Sequence, residues 1–295
     1  METEAQQEQT QTQTQTQEQP QTQEQAQIQE KEQTQAVPPN RKKGVTGSTL
    51  KLIAIIAMFI DHTGAVILER MLFAGGEPSM QSVMDNWNLY MVYMVLRMIG
   101  RLGFPVFCFL LIEGFKYTRN VKKYAGRLFL FALISEVPFD LGFVGQPIFW
   151  KYQNVFFTLF IGLLVMIGLR IIQEKQAWNK VLRAILCLLV LAAGMVSAEF
   201  LHTDYGSFGV LTIAVMYMLR YRKTLEAGAG CAVLTAMSLM EATSFFVLIP
   251  ISRYNGQRGW NIKWLFYAFY PVHILLLYLL ACALGLGNVS MAAFY

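Results

Sequence analysis

The chain has 295 residues, of which 55% are hydrophobic and 15% charged, with a formal net charge of +5 and a mean hydropathy of +0.39. Length alone would allow two soluble domains, but no soluble fold hides that much apolar surface, so a soluble enzyme is excluded. Seven acidic residues against one lysine before residue 40 make that segment −6 and leave +11 on the rest. This basic, apolar body fits a membrane protein with cationic cytoplasmic loops and argues against a nucleic-acid binder.

Residues 1–43 carry Gln at nearly every second position, interleaved with Thr and Glu. Such a segment has almost nothing to bury and is expected to be a disordered tail; its glutamates and Pro20 oppose Gln-type β-zippers. No cleavable signal peptide is read at the start. After Arg41-Lys42-Lys43 the chain turns apolar, and residues 44–295 read as one all-α, polytopic helix bundle in the lipid bilayer. Spans are predicted at 50–71, 99–117, 124–143, 153–173, 180–200, 207–221, 225–251 and 262–284, since about 20 residues cross the hydrocarbon. Residues 84–98, with Trp87, Tyr90 and Tyr93, read as a helix lying at the interface. Cys108, Cys187, Cys231 and Cys282 all sit in apolar segments without metal spacing and read as small core hydrophobes.

Lysine and arginine counts orient the bundle. The segments before span 1 and after spans 2, 4 and 6 are cationic, whereas 144–152 holds only Lys151 and 201–206 none, which predicts a cytoplasmic N-terminus in the cell membrane. Arg253, Arg258 and Lys263 break the pattern. Either 225–251 is one tilted span and these cations bind something, or it is two short helices broken near Glu241; the total is eight or nine spans.

Ionisable groups at membrane depth are candidates for function. Asp61-His62 lies eleven residues beyond Lys51, about 16 Å deep by helix rise. A buried imidazole can accept a proton, and a carboxylate can fix its tautomer, although helix geometry turns Asp61 toward another helix rather than toward His62. A structural polar pair is the alternative. Arg97 and Arg101 lie one turn apart, as do Glu136 and Asp140 around Pro138. With Asn154 these are expected to meet in the outer half of the membrane above Asp61-His62, unless the arginines only weld helices together. His273 is a further intramembrane imidazole. No phosphate-binding glycine loop, metal-ligand spacing or serine nucleophile elbow is present.

Several runs resemble the TraX family of polytopic membrane proteins. They are Leu50-Lys51 to Asp61-His62, RMIGRLGFPVFCFLLIEGFKYTRN at 97–120, YAGRLFLFALISEVPFDL at 124–141, NVFFTLFIGLL at 154–164, DYGSFGVL at 204–211, YNGQRG at 254–259 and FYAFYPVH at 266–273. The family is named for a conjugation protein linked to pilin N-acetylation and is similar to the wider integral-membrane acyltransferases. The resemblance implies transfer of an acyl group, with acetyl-CoA or another acyl-CoA as co-substrate, to a protein amine or glycan hydroxyl at or beyond the membrane. It carries over most strongly at Asp61, His62, Arg101, Glu136 and Asp140.

On that reading His62, with Asp61, serves as general base. Arg97, Arg101, Glu136, Asp140, Asn154 and His273 form the acceptor-binding or oxyanion side. Lys51, Lys116, Arg119 and Arg258 grip the acyl-CoA phosphates. A proton-coupled transporter using the same buried acids, or a scaffold in which the charges only associate helices, are the competing readings.

Overall fold

The structure is a computed structural model, which describes residues 43–74, 79–260 and 263–292. The expected disordered tail, apart from Lys43, lies outside the described residues. Residues 44–295 form one compact unit, helical throughout its described elements.

Helix α1 (Gly47–Phe73) runs 27 residues and begins at Thr46, whose hydroxyl accepts from the Thr49 amide. It widens into a π-turn at Gly64–Leu68, directly after Asp61-His62. A short α2 (Met80–Asp85) leads into α3 (Trp87–Gly100) and α4 (Gly103–Tyr117). Together α3 and α4 make a 31-residue apolar run interrupted at Arg101-Leu102, just before Gly103 and Pro105. The expected interfacial helix over 84–98 is therefore corrected: most of it is the first limb of this run and packs along α1.

Asparagine N-caps start the next three helices, each side-chain oxygen accepting an amide that the first turn leaves unpaired. These are Asn120 before α5 (Val121–Phe143), Asn154 before α6 (Val155–Glu174) and Asn179 before α7 (Lys180–Phe200). Then come α8 (Gly206–Met218) and α9 (Lys223–Met237). Helix α4 packs against α1, α6, α8 and α9, and α6 against α5, α7 and α8. Helix α7 fully buries only Gly194 and Ala198, packs Cys187, Val190, Leu191 and Met195 against the core, and turns Leu188, Leu189 and Val196 outward, as a lipid-facing helix does.

After α9 the chain breaks at Ser238, whose extended backbone ends the helix and whose hydroxyl accepts from the Met240 amide. It continues as a 3₁₀ stretch, Leu239–Val247, and a short α10 (Leu248–Ser252). At 1.5 Å per residue α9 is about 22 Å long, short of a full crossing. Both limbs pack together, and Thr243 near the tip donates to the Met98 carbonyl. The single tilted span is overturned in favour of the broken hairpin. The hairpin returns Arg253 and Arg258 to the end where α1 begins: the Val45 amide donates to the Arg253 carbonyl at 2.9 Å, and the Ser48 amide to the Arg258 carbonyl at 3.0 Å. The cations that seemed misplaced thus share the end that also holds the segment before α1.

Helix α11 (Lys263–Ala283) packs on α1 and α5 and runs to the far end, where the Met291 amide reaches the Val144 carbonyl. At that end Arg70, fully buried, donates to the Leu141 and Gly142 carbonyls and so caps α5. Among the described residues, five helical stretches are long and apolar enough to cross a membrane: Gly47–Phe73, Trp87–Tyr117, Val155–Glu174, Lys180–Phe200 and Trp264–Ala283.

Site-directed labelling tests the hairpin. In a background without native cysteines, Arg253→Cys and Arg119→Cys should react with a membrane-impermeant maleimide from one face and Lys151→Cys from the opposite one. Reaction of Arg253→Cys from the Lys151 face would contradict it.

Candidate functional site

His62 lies at the last turn before the π-turn of α1 and is buried. Its Nδ1 is 2.7 Å from His273 Nε2, and His273 Nδ1 is 2.6 Å from the Phe269 carbonyl oxygen. A carbonyl only accepts, so His273 carries its proton on Nδ1 and offers the Nε2 lone pair. His62 Nδ1–H donates to that lone pair, which leaves the lone pair of a neutral His62 on Nε2. Edge-on contacts from Phe143, at 5.1 Å, and Tyr270, at 5.8 Å, wall the ring.

Asp61 turns away from His62. Its Oδ2 accepts from Arg97 Nη1 at 2.8 Å, joining α1 to α3. Arg101, at the break between α3 and α4, pairs with Glu241 of the hairpin at 3.3 Å. Tyr205 stands beside this group in a left-handed backbone conformation (φ 64°), its ring stacked on Phe104 with centroids 3.8 Å apart. Such strain in a non-glycine residue persists only where the surroundings enforce it. In the preceding connection Asp204 accepts from the Tyr152 hydroxyl at 3.0 Å. Burial pushes the Asp204 carboxyl up to about 6, against the Tyr152 hydrogen bond and the Arg101 and Arg97 charges.

The expected five-residue cluster is divided. Arg97 and Arg101 are taken by Asp61 and Glu241, whereas Glu136 and Asp140 meet backbone and amide donors. Asn154 caps α6 and donates to both the Ala132 carbonyl and Glu136. Asp140 accepts from the Phe149 amide at 2.7 Å. Asp61 Oδ1, Glu136 Oε1, Asp140 Oδ1 and Glu241 Oε2 are buried with no hydrogen-bond partner among the described residues. Buried acceptors of this kind are ordinarily completed by water or another polar group.

A cavity of about 500 Å³ opens between α1, α4, α5, α6, α11 and the 254–258 segment. Lys51 and Arg258 line it, but Lys116 and Arg119 do not. Lys116 is drawn to Glu113, at 3.7 Å, and Arg119 is exposed in the connection after α4. In the cavity wall the Tyr254 hydroxyl donates to Glu113 at 3.2 Å, and burial pushes its phenol up. Phe156 lines the cavity and meets Tyr270 edge-on at 5.0 Å, and Tyr270 meets His62. Two aromatic rings therefore separate the cavity from the histidine pair. No group of three or more His, Cys, Asp or Glu among the described residues is arranged to hold a metal ion.

Sequence reasoning used Glu241 only as a break point and passed over Glu69 and Arg70. Each is an ionisable residue inside an apolar run, which is the signal that would have found it. The π-turn left no such trace.

Close approach of α3 to α1 is itself testable. A Cβ on Gly100 would fall on the Asp61 carboxyl, whereas one on Gly126 would meet nothing within 4 Å. Gly100→Ala should cost about 1–3 kcal/mol in detergent melting and Gly126→Ala should be near neutral; equal melts would contradict the packing of Asp61.

Comparison with known proteins places these features in a family. The family described as TraX protein matches residues 46–281. A probable fimbrial assembly protein FimC, serogroup H1, of Dichelobacter nodosus is 30% identical, covering 77% of this chain and 92% of the relative. An uncharacterized protein, RP591, of Rickettsia prowazekii (strain Madrid E) is 23% identical, covering 70% of this chain and 68% of the relative. No solved structure matches. The Asp61-His62 helix, the Arg97–Arg101 break, the Glu136–Asp140 helix and the His273 turn all fall inside the matched region, and the chain belongs to the TraX family.

Proposed function

We propose that this protein is an integral-membrane acyltransferase of the cytoplasmic membrane, its N-terminus on the cytoplasmic side. It takes an acyl group, most simply acetyl, from coenzyme A at the cytoplasmic end and passes it to a protein amine or glycan hydroxyl from the far side. The fimbrial-assembly name of one relative supports a pilus subunit as acceptor. The observation that carries the reading is the histidine pair: a hydrogen-bond chain that ends on a carbonyl holds one lone pair ready, two aromatic rings from a cation-lined cavity.

In this mechanism the acceptor N–H or O–H lies against His62 Nε2. As its heteroatom attacks the thioester carbonyl, His62 takes the proton, and His273 stabilises the imidazolium through the same hydrogen bond. The C–S bond then breaks, the thiolate leaves, and His62 returns the proton to it. Of the expected oxyanion donors, Asn154 is committed to Ala132 and Glu136, whereas Arg101 meets Glu241 through Nε and takes that role with its other N–H groups. Asp61 acts at one remove, by holding Arg97. Lys51 is eleven residues from His62 along α1, about 16 Å, a span that an extended pantetheine arm covers. Protein groups supply every step, and the co-substrate is the acyl thioester.

Purified protein in detergent, given radiolabelled acetyl-CoA, should turn over the thioester and transfer the label to an acceptor. His62→Ala should slow this by about 100-fold or more, and His273→Phe, which removes the acceptor for Nδ1–H, by a smaller factor. Wild-type rates in His62→Ala would overturn the mechanism. Uptake of a solute into proteoliposomes without thioester turnover would favour a transporter.

A further inference from the structure

The charged groups that line the cavity are Lys51, Glu113, Arg127 and Arg258. Glu113 is engaged by the Tyr254 hydroxyl and Lys116, which leaves the cationic groups dominant. Lys51 lies 4.9 Å above the Phe266 ring. Arg127 is different in kind. It sits six residues into α5, about 9 Å by helix rise; its guanidinium lies over the Tyr124 ring at 5.7 Å and beside the Tyr267 hydroxyl. Its Nε is buried with no hydrogen-bond partner among the described residues. Arg127 is half-buried and forms no ion pair with a carboxylate among the described residues, and a buried guanidinium N–H left open is costly unless a ligand completes it.

We infer that Arg127, inside the cavity between Lys51 and the apolar floor, is the phosphate ligand of the site, and that the cavity selects a phosphorylated, single-chain carrier of the phosphopantetheine class. This rests on the acyl-donor reading above and adds what it leaves open, the group recognised and the residue that recognises it. Beyond Arg127 the lining turns apolar, with Phe107, Leu128, Leu159 and Phe156, and it ends at the ring that touches Tyr270. A ligand anchored by phosphate at Arg127 lays its uncharged arm along this floor toward His62. The planar guanidinium, with several N–H groups in a fixed fork, fits a phosphate better than an ammonium does. A volume of about 500 Å³ accommodates one chain, whereas a membrane phospholipid brings two.

The test is binding of phosphopantetheine and of pantetheine to the purified full chain in detergent, by calorimetry. Wild type should bind the phosphorylated form about ten- to a hundred-fold more tightly, the range for hydrogen bonds to charged groups. Arg127→Gln should bring its affinity down to that of pantetheine and leave pantetheine unchanged; Arg127→Lys should keep part of the difference. Equal wild-type affinities, an undiminished difference in Arg127→Gln, or binding of neither compound would overturn the proposal. Lysophosphatidate, added as a third ligand, should bind more weakly than phosphopantetheine; tighter binding would give the cavity to a lipid and overturn the carrier assignment. Arg127-dependent binding without thioester turnover would uphold this inference while removing the transferase reading. Equal turnover of acetyl-CoA and acetyl-pantetheine would do the reverse.

Discussion

Everything in this bundle depends on how polar groups are satisfied where water is scarce. A buried charge or imidazole in an apolar helix is costly, and each can be kept only if a neighbouring element supplies a partner. The partners come from different helices: Arg97 of α3 for Asp61 of α1, Glu241 of the hairpin for Arg101, and His273 of α11 for His62 of α1. Ion pairs of this kind add little net stability over apolar packing. They do fix which helices meet and in what register, and so they fix the orientation of the histidines.

Irregular backbone gathers around the same depth. The π-turn of α1, the break at Arg101-Leu102, the kink at Ser238 and the prolines within α5 and α11 all flank the polar residues. Backbone that departs from the α-helix is tolerated at membrane depth only where protein covers it or a cavity is lined, and π-turns and strained residues such as Tyr205 gather at functional sites. The arrangement has a direction: a cationic cavity opens toward the end where α1 begins, and the histidine pair lies further along α1.

Much of this was legible in the sequence because single-residue cost is legible. Hydropathy gave the helices, and charges inside apolar runs gave Asp61, His62, Arg97, Arg101, Glu136, Asp140 and His273. Pairing was not legible: nothing local says that Arg101 prefers Glu241 to Glu136, since that depends on a hairpin folding back between distant segments. The charge anomaly at Arg253 and Arg258 held the clue, and a break at Glu241 was one of two solutions. Asn154 was misjudged for a related reason, its side chain being spent on capping α6 and holding α5, a role visible only once the helix start is known. Lys116 and Arg119 looked equivalent to Lys51 by position, but side-chain direction sent them elsewhere. The Gln-rich tail belongs to a region outside the described residues.

The central claim is that the hydrogen-bond chain from the Phe269 carbonyl through His273 fixes the tautomer of His62. The protein has only three histidines, His62, His202 and His273, so nitrogen NMR of histidine-labelled protein, assigned with His62→Gln, reads the tautomer directly. The account predicts a neutral His62 with its proton on Nδ1 and an unprotonated Nε2. A proton found on Nε2 would contradict it, because the lone pair of a neutral His62 would then face His273 and none would face the acceptor.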